Sequence, residues 1–287
     1  MSIRSRIISF LKFSILNRFI IFFNQYFRHS LFINFLGLEM YGVWIFLMTI
    51  PSYLTLSDFG ISDTAENHIN LNLNKISNIE ISKIFWCSLN IAFTIFFVIF
   101  IFCNFFLDNL INNFSKLYPI TNESNTYFFN LIFFYSFLII ITKKFQSLIV
   151  ANQHYNFLIN LRSFSIVFEL CIIFSIFSYN LSLDKLLISF IFIRILLLLV
   201  TIFKFYSYGI ISFRFSYLGF SNFKGLYRPS LVFVLAPLIN LIRLQGVVFL
   251  IINFFSANLV SIYSVSSTLI RSTSIFIHLI SGPINIE

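Results

Sequence analysis

The sequence predicts an all-α, polytopic membrane protein with about eight transmembrane helices, read as one six-helix bundle and the first two helices of a second. Three observations carry this. Of 287 residues, 59% are hydrophobic and only 10% charged, against about a quarter charged in soluble domains. The apolar residues are gathered into long runs, close to the roughly 20 residues that cross a bilayer. The Lys and Arg residues fall mostly on alternate connections, as expected of a chain that crosses and recrosses.

The first helix is expected at residues 13–36. It carries Asn17, Arg18, Asn24, Gln25, Arg28 and His29, which at about 100° per residue share a sector of roughly 140°. A charge at mid-bilayer costs about 2.5–3.5 kcal/mol, so this stripe should face a helix bundle or an aqueous cavity. The run is too long for a signal peptide and has no small-residue cleavage site. Residues 36–41 form a tight connection, and a second helix returns over 42–63 with Pro51 expected to kink it. A polar segment, 67–83, leads to the third span, 84–106, and segment 107–125 lies on the far side. The fourth span, 126–149, ends near Lys143 and Lys144, whose long side chains can reach back to the headgroups. After a loop at 152–162, the fifth span (163–179) contains Glu169 and the sixth (186–205) contains Arg194. The basic stretch 207–228 reads as a linker, which divides the chain into 1–206, 207–228 and 229–287. The seventh span starts with Pro229 in its first turn, contains Pro237, Asn240, Arg243 and Gln245, and reaches about Phe255. The eighth, 258–281, ends at Gly282 and Pro283.

The net charge of +9 is spread over several loops and forms no single basic patch, which argues against nucleic acid as a partner. Cys87, Cys103 and Cys171 lie inside spans without paired spacing, so neither disulfides nor a metal site is expected. On the amino-terminal side stand Arg4, Arg6, Lys12, Lys75, Lys83, Lys143, Lys144, Arg162, Lys204, Arg214, Lys224 and Arg228; opposite them are only Lys116 and Lys185. That asymmetry puts the amino terminus in the cytoplasm.

Five arginines fall inside spans, Arg18, Arg28, Arg194, Arg243 and Arg271, against one equally deep acid, Glu169. An excess of buried cations calls for water or an anionic ligand, and the guanidinium fork suits phosphate oxygens. In the eighth helix Ser264, Ser267, Thr268, Arg271, Ser274 and His278 form a second stripe, which reads either as a second cavity wall or as small residues at a close helix contact. Glu169 and Arg194 sit on adjacent spans at depths that a structural ion pair could bridge. Arg243 lies one turn after Asn240, below Pro237. The candidate anion site is therefore Arg28, Arg243, Arg271, Asn24, Gln25, Asn240 and His278. The four histidines have no metal spacing, no nucleophile set is placed for hydrolysis, and there is no phosphate-cradling loop. No enzyme activity and no cofactor are expected; transport energy would come from an ion gradient or from the substrate's own.

Residues 36–64, LGLEMYGVWIFLMTIPSYLTLSDFGISDT, resemble the amino-terminal hairpin of polysaccharide flippases of the O-antigen translocase (Wzx) type. The likeness rests on Leu36-Gly37, Tyr41-Gly42 with Trp44, Tyr53-Leu54, and Asp58-Phe59-Gly60 with Ile61. Residues 257–283, with Tyr263 and Gly282-Pro283, look like that family's eighth helix and its exit. The family lies in the multidrug/oligosaccharidyl-lipid/polysaccharide exporter superfamily, whose members have twelve or so helices in two bundles around an alternating cavity. The resemblance implies a carrier of undecaprenyl-pyrophosphate-linked oligosaccharide, an O-antigen or capsule unit, across the inner membrane, with cavity cations on the pyrophosphate. It further implies a coupling ion, proton or sodium, and polysaccharide-assembly proteins as partners. Eight helices are fewer than the family's, so a fragment, a carboxyl-terminally truncated relative or a partner-completed molecule is implied. A drug or cation antiporter of the same superfamily, a membrane polysaccharide polymerase or ligase, and an inactive relative stay open as alternatives.

Overall fold

The computed structural model describes residues 3–56, 60–71, 77–105, 122–151, 154–179, 182–207, 230, 233–235 and 237–281. Among them every regular element is helical: α1 (Ile3–Leu47), α2 (Thr49–Thr55), α3 (Ile61–Leu71), α4 (Asn78–Phe105), α5 (Asn122–Ala151), α6 (Tyr155–Ser178), α7 (Leu183–Ser207), a π-helical turn (Ile242–Gly246), α8 (Val247–Phe254) and α9 (Ala257–Ser281). Among the described residues six stretches are long and apolar enough to cross a bilayer: Ile15–Thr55, Ile79–Phe105, Thr126–Val150, Tyr155–Ser178, Leu183–Ser207 and Phe233–Phe254. The protein is an all-α, multi-pass membrane protein.

The first of these stretches is 41 residues long, twice the length of one span. Gly37 divides it, with φ 76° and ψ 169°, a region essentially restricted to glycine. Twelve residues of straight helix would separate His29 from Tyr41 by about 18 Å, yet their rings lie 5.8 Å apart. The chain therefore doubles back at Gly37, and the expected connection at 36–41 shrinks to little more than one residue. The returning arm breaks at Met48, where Pro51 has no N–H for the carbonyl four residues earlier; the Thr49 hydroxyl, buried, donates to the Phe46 carbonyl at 2.7 Å. This helix ends at Thr55, short of the expected residue 63, and α3 begins after Gly60 as a separate element.

Two compact units are built from interleaved stretches of chain: 1–49, 154–186 and 242–287 form one; 50–153 and 187–241 form the other. The linker expected at 207–228 lies outside the described residues, apart from 207 at the end of α7.

In the first unit, the arm before Gly37 packs beside α6 and α9. Ser163 donates to Asn17 at 2.8 Å, and Phe177 meets Phe32 and Phe35 at ring distances of 5.1 Å, so the arm and α6 run parallel. The arm and α9 run antiparallel, since Ser261 donates to the Leu38 carbonyl at 2.5 Å while Ser272 reaches the level of Gln25. Phe32, fully buried, stacks on Trp44 across the reversal at 5.6 Å.

In the second unit, α4 and α5 are antiparallel: Phe100 meets Phe133 and Phe96 meets Phe137. At one end Phe85, Phe145 and Phe205 form a buried aromatic triangle joining α4, α5 and α7. Hydroxyls inside these spans bond back to their own helix, Ser136 to Ile132 and Thr142 to Leu138, both at 2.7 Å, which satisfies them where no water is at hand. A reciprocal cap starts α4: Ser77 N–H donates to Glu80 at 3.2 Å and Glu80 N–H to the Ser77 hydroxyl at 3.4 Å. Lys143 and Lys144 do not share one role. Lys143 bridges to Asp63 of α3 at 3.1 Å, whereas Lys144 is 1% exposed inside the unit and does not reach out toward headgroups.

Candidate functional site

The polar stripe of the first arm turns toward α9. Gln25, His29 and Ser30, with Phe22, Tyr26 and Ile33, form one wall of a cavity of about 190 Å³; Val265, Thr268, Leu269 and Ser272 of α9 form the other. The α9 contribution is an i, i+3, i+4, i+7 face. At about 30 Å³ per water the cavity holds on the order of six waters. That suits a small anionic group with part of its hydration, and it excludes an oligosaccharide.

Charge gathers around His29. Its Nδ1 meets the hydroxyl of Tyr41, a residue 4% exposed, so the reversal at Gly37 locks the imidazole's position. Arg28 precedes it, half-buried, with its guanidinium 5.9 Å from the Phe32 ring. Arg271 approaches from α9, donating through Nε to the Ser267 carbonyl at 3.2 Å and through a terminal nitrogen to the Thr268 hydroxyl at 3.4 Å. Arg28 is thus tied to the cavity through its chain neighbour His29, and the exposed Arg271 through Thr268, one cation on each of the two walls. The buried Gln25 amide oxygen has no hydrogen-bond partner among the described residues, and a buried acceptor of this kind calls for a donor from water or a ligand.

Of the residues predicted from sequence, Gln25 lines the cavity, Arg28 adjoins the lining residue His29 in the chain, and Arg271 bonds the lining residue Thr268. Asn24 is half-buried outside that lining. Arg243 is exposed on the π-helical turn and is not part of the cavity. Asn240 is exposed and belongs to the second unit. The side chain of His278 lies outside the described residues. Glu169 falls in the first unit and Arg194 in the second; Arg194 donates to the Tyr135 hydroxyl at 3.3 Å and lies 5.6 Å from its ring. Sequence reasoning missed Tyr41, Ser30 and Ser272. Ser272 follows Thr268 by four residues and was legible as the next position on that face; Tyr41 was not, because only the glycine reversal brings it back to His29.

Among the described residues, no three His, Cys, Asp or Glu side chains are grouped to hold a metal ion. No protein-family model, curated protein or solved structure matches this chain.

Proposed function

We propose that this protein carries an undecaprenyl-pyrophosphate-linked oligosaccharide from the cytoplasmic to the outer leaflet of the inner membrane by alternating access. The observation that carries the reading is a water-sized cavity between the first arm and α9 with an arginine tied to each wall, Arg28 next to His29 in the chain and Arg271 bonded to Thr268. Such a pair offers forked donors to the oxygens of a pyrophosphate, and the cavity's size leaves the sugars outside it. The resemblance of residues 36–64 and 257–283 to polysaccharide flippases supports the same substrate, and the Lys and Arg asymmetry supports a cytoplasmic amino terminus. A proton or sodium gradient would drive the cycle, in company with polysaccharide-assembly proteins.

The test is rescue of surface polysaccharide in a strain lacking its own translocase, with membrane abundance followed by immunoblot. A charge-assisted contact is worth about 1.5–3 kcal/mol, so Arg28→Ala and Arg271→Ala should each lower transport by about ten- to a hundredfold at unchanged abundance. Arg271→Lys should retain part of it. Full transport in both alanine variants rejects the anion site.

A further inference from the structure

The second unit carries a trough that the proposed transport site does not use. Its floor is a set of packed rings, Phe93 and Phe96 against Phe137 and Phe100 against Phe133, at 5.1–5.5 Å. Its lips are Phe97 of α4 and Phe134 of α5, 62% and 46% exposed. The volume is about 720 Å³. On α4 the lining runs from Phe93 to Asn104, about 16 Å of helix, or half of the roughly 30 Å hydrocarbon core. The trough therefore has the depth of one leaflet.

Its polarity is graded. Because α4 and α5 are antiparallel, Asn104 and Asn130 come to the same end, and that end is where α4 terminates at Phe105. Thr94 donates to its own helix at 2.9 Å, so the shaft offers rings alone, and the Asn104 amide donates to the Phe100 carbonyl at 2.8 Å, which leaves its oxygen and second N–H for a headgroup. An aromatic shaft at tail depth with two amides at the span end matches a lipid placed with its headgroup at the interface.

Width decides between occupants. A volume of 720 Å³ over that length leaves a section about 7 Å across, narrower than the 10–12 Å of a helix with its side chains. An alkyl chain at van der Waals contact takes a column about 4–5 Å across, so one or two tails fit. Left unfilled, the rings would forfeit dispersion contacts along the whole trough. We propose that the α4–α5 trough is a binding site for one phospholipid of the surrounding bilayer, its acyl tails along the phenylalanines and its headgroup at Asn104 and Asn130.

This inference stands whether or not the transport reading holds, because it concerns neither Arg28 nor Arg271. Native mass spectrometry of the full chain, released from nanodiscs of palmitoyl-oleoyl-phosphatidylethanolamine, should find one phospholipid retained per chain. Filling the trough with Phe97→Trp plus Phe134→Trp should cut retention about fivefold, while Phe97→Leu keeps it. Asn104→Leu plus Asn130→Leu leaves the rings in place and should cut retention about threefold, which supplies a readout should the tryptophan variant fail to accumulate. Equal retention by wild type and either double variant overturns the proposal. So does a wild-type dimer that the tryptophan variant breaks, which would make a second copy the occupant, or an isoprenoid retained in place of phospholipid.

Discussion

A methyl group at Gly42 would fall inside the space of the Ala257 carbonyl, with the Ala257 Cα 3.1 Å away. Two backbones touch there, and neither can move without carrying its helix along. Gly37 is the opposite case: nothing lies within 4 Å of an added Cβ, and only its backbone conformation demands glycine. Gly37→Ala should cost about 1–3 kcal/mol from strain alone. Gly42→Ala should reach or exceed the top of the about 1–3 kcal/mol range for overpacking, because there is no flexible side chain to yield. Thermal unfolding in detergent ranks the two, and the reverse order would show that the α9 contact is looser than described. Gly60 combines both demands, with φ +67° and the Ser230 carbonyl 2.7 Å from a built Cβ; it sets α3 off from the preceding helix.

Among the elements, α3 is tied to α5 by charge at the edge of the second unit. Lys143 holds Asp63, and Glu66 follows Asp63 by three residues on the same face. Burial, and then the Asp63 charge, push the Glu66 carboxyl up from its ordinary 4.5 to about 7, with Lys143 opposing. Lys144 of α5, Glu80 and Lys83 of α4 and His68 of α3 are further titratable groups nearby in sequence on the packed elements. A raised carboxyl binds a proton in the folded protein that the unfolded chain has already released. Stability should therefore fall as pH rises from about 4.5 to about 7 and level off above. Glu66→Gln should flatten that slope in thermal unfolding across the same range, while Lys143→Ala should move its upper limit to higher pH. An unchanged slope in Glu66→Gln would assign it to another group.

The two compact units are not consecutive lengths of chain. Because α9 packs on the first helix, residues 1–206 made alone would leave Gln25 and His29 without the opposite cavity wall and Gly42 without its contact to Ala257. Expressed by itself, that segment should accumulate poorly, and co-expression of residues 229–287 should restore it. Equal abundance with and without the second piece would mean that residues 1–206 are self-sufficient.

At this scale too, the legible and illegible parts of the molecule separate cleanly. Composition and hydropathy were enough for an all-helical, multi-pass membrane chain, because a bilayer accepts backbone only when it is internally hydrogen-bonded and long apolar runs have no other home. The stripe at Gln25, Arg28 and His29 was readable because cations do not face lipid without cost. Helix partnership was not readable. Lipid tails are as apolar as leucine, so burial in protein and exposure to lipid draw on the same residues. Close approach at Gly42, the hydroxyl of Tyr41 on His29, the burial of Lys144 and the withdrawal of Arg243 from the cavity are all settled by shape and local polar contact, which exist only once the helices have met.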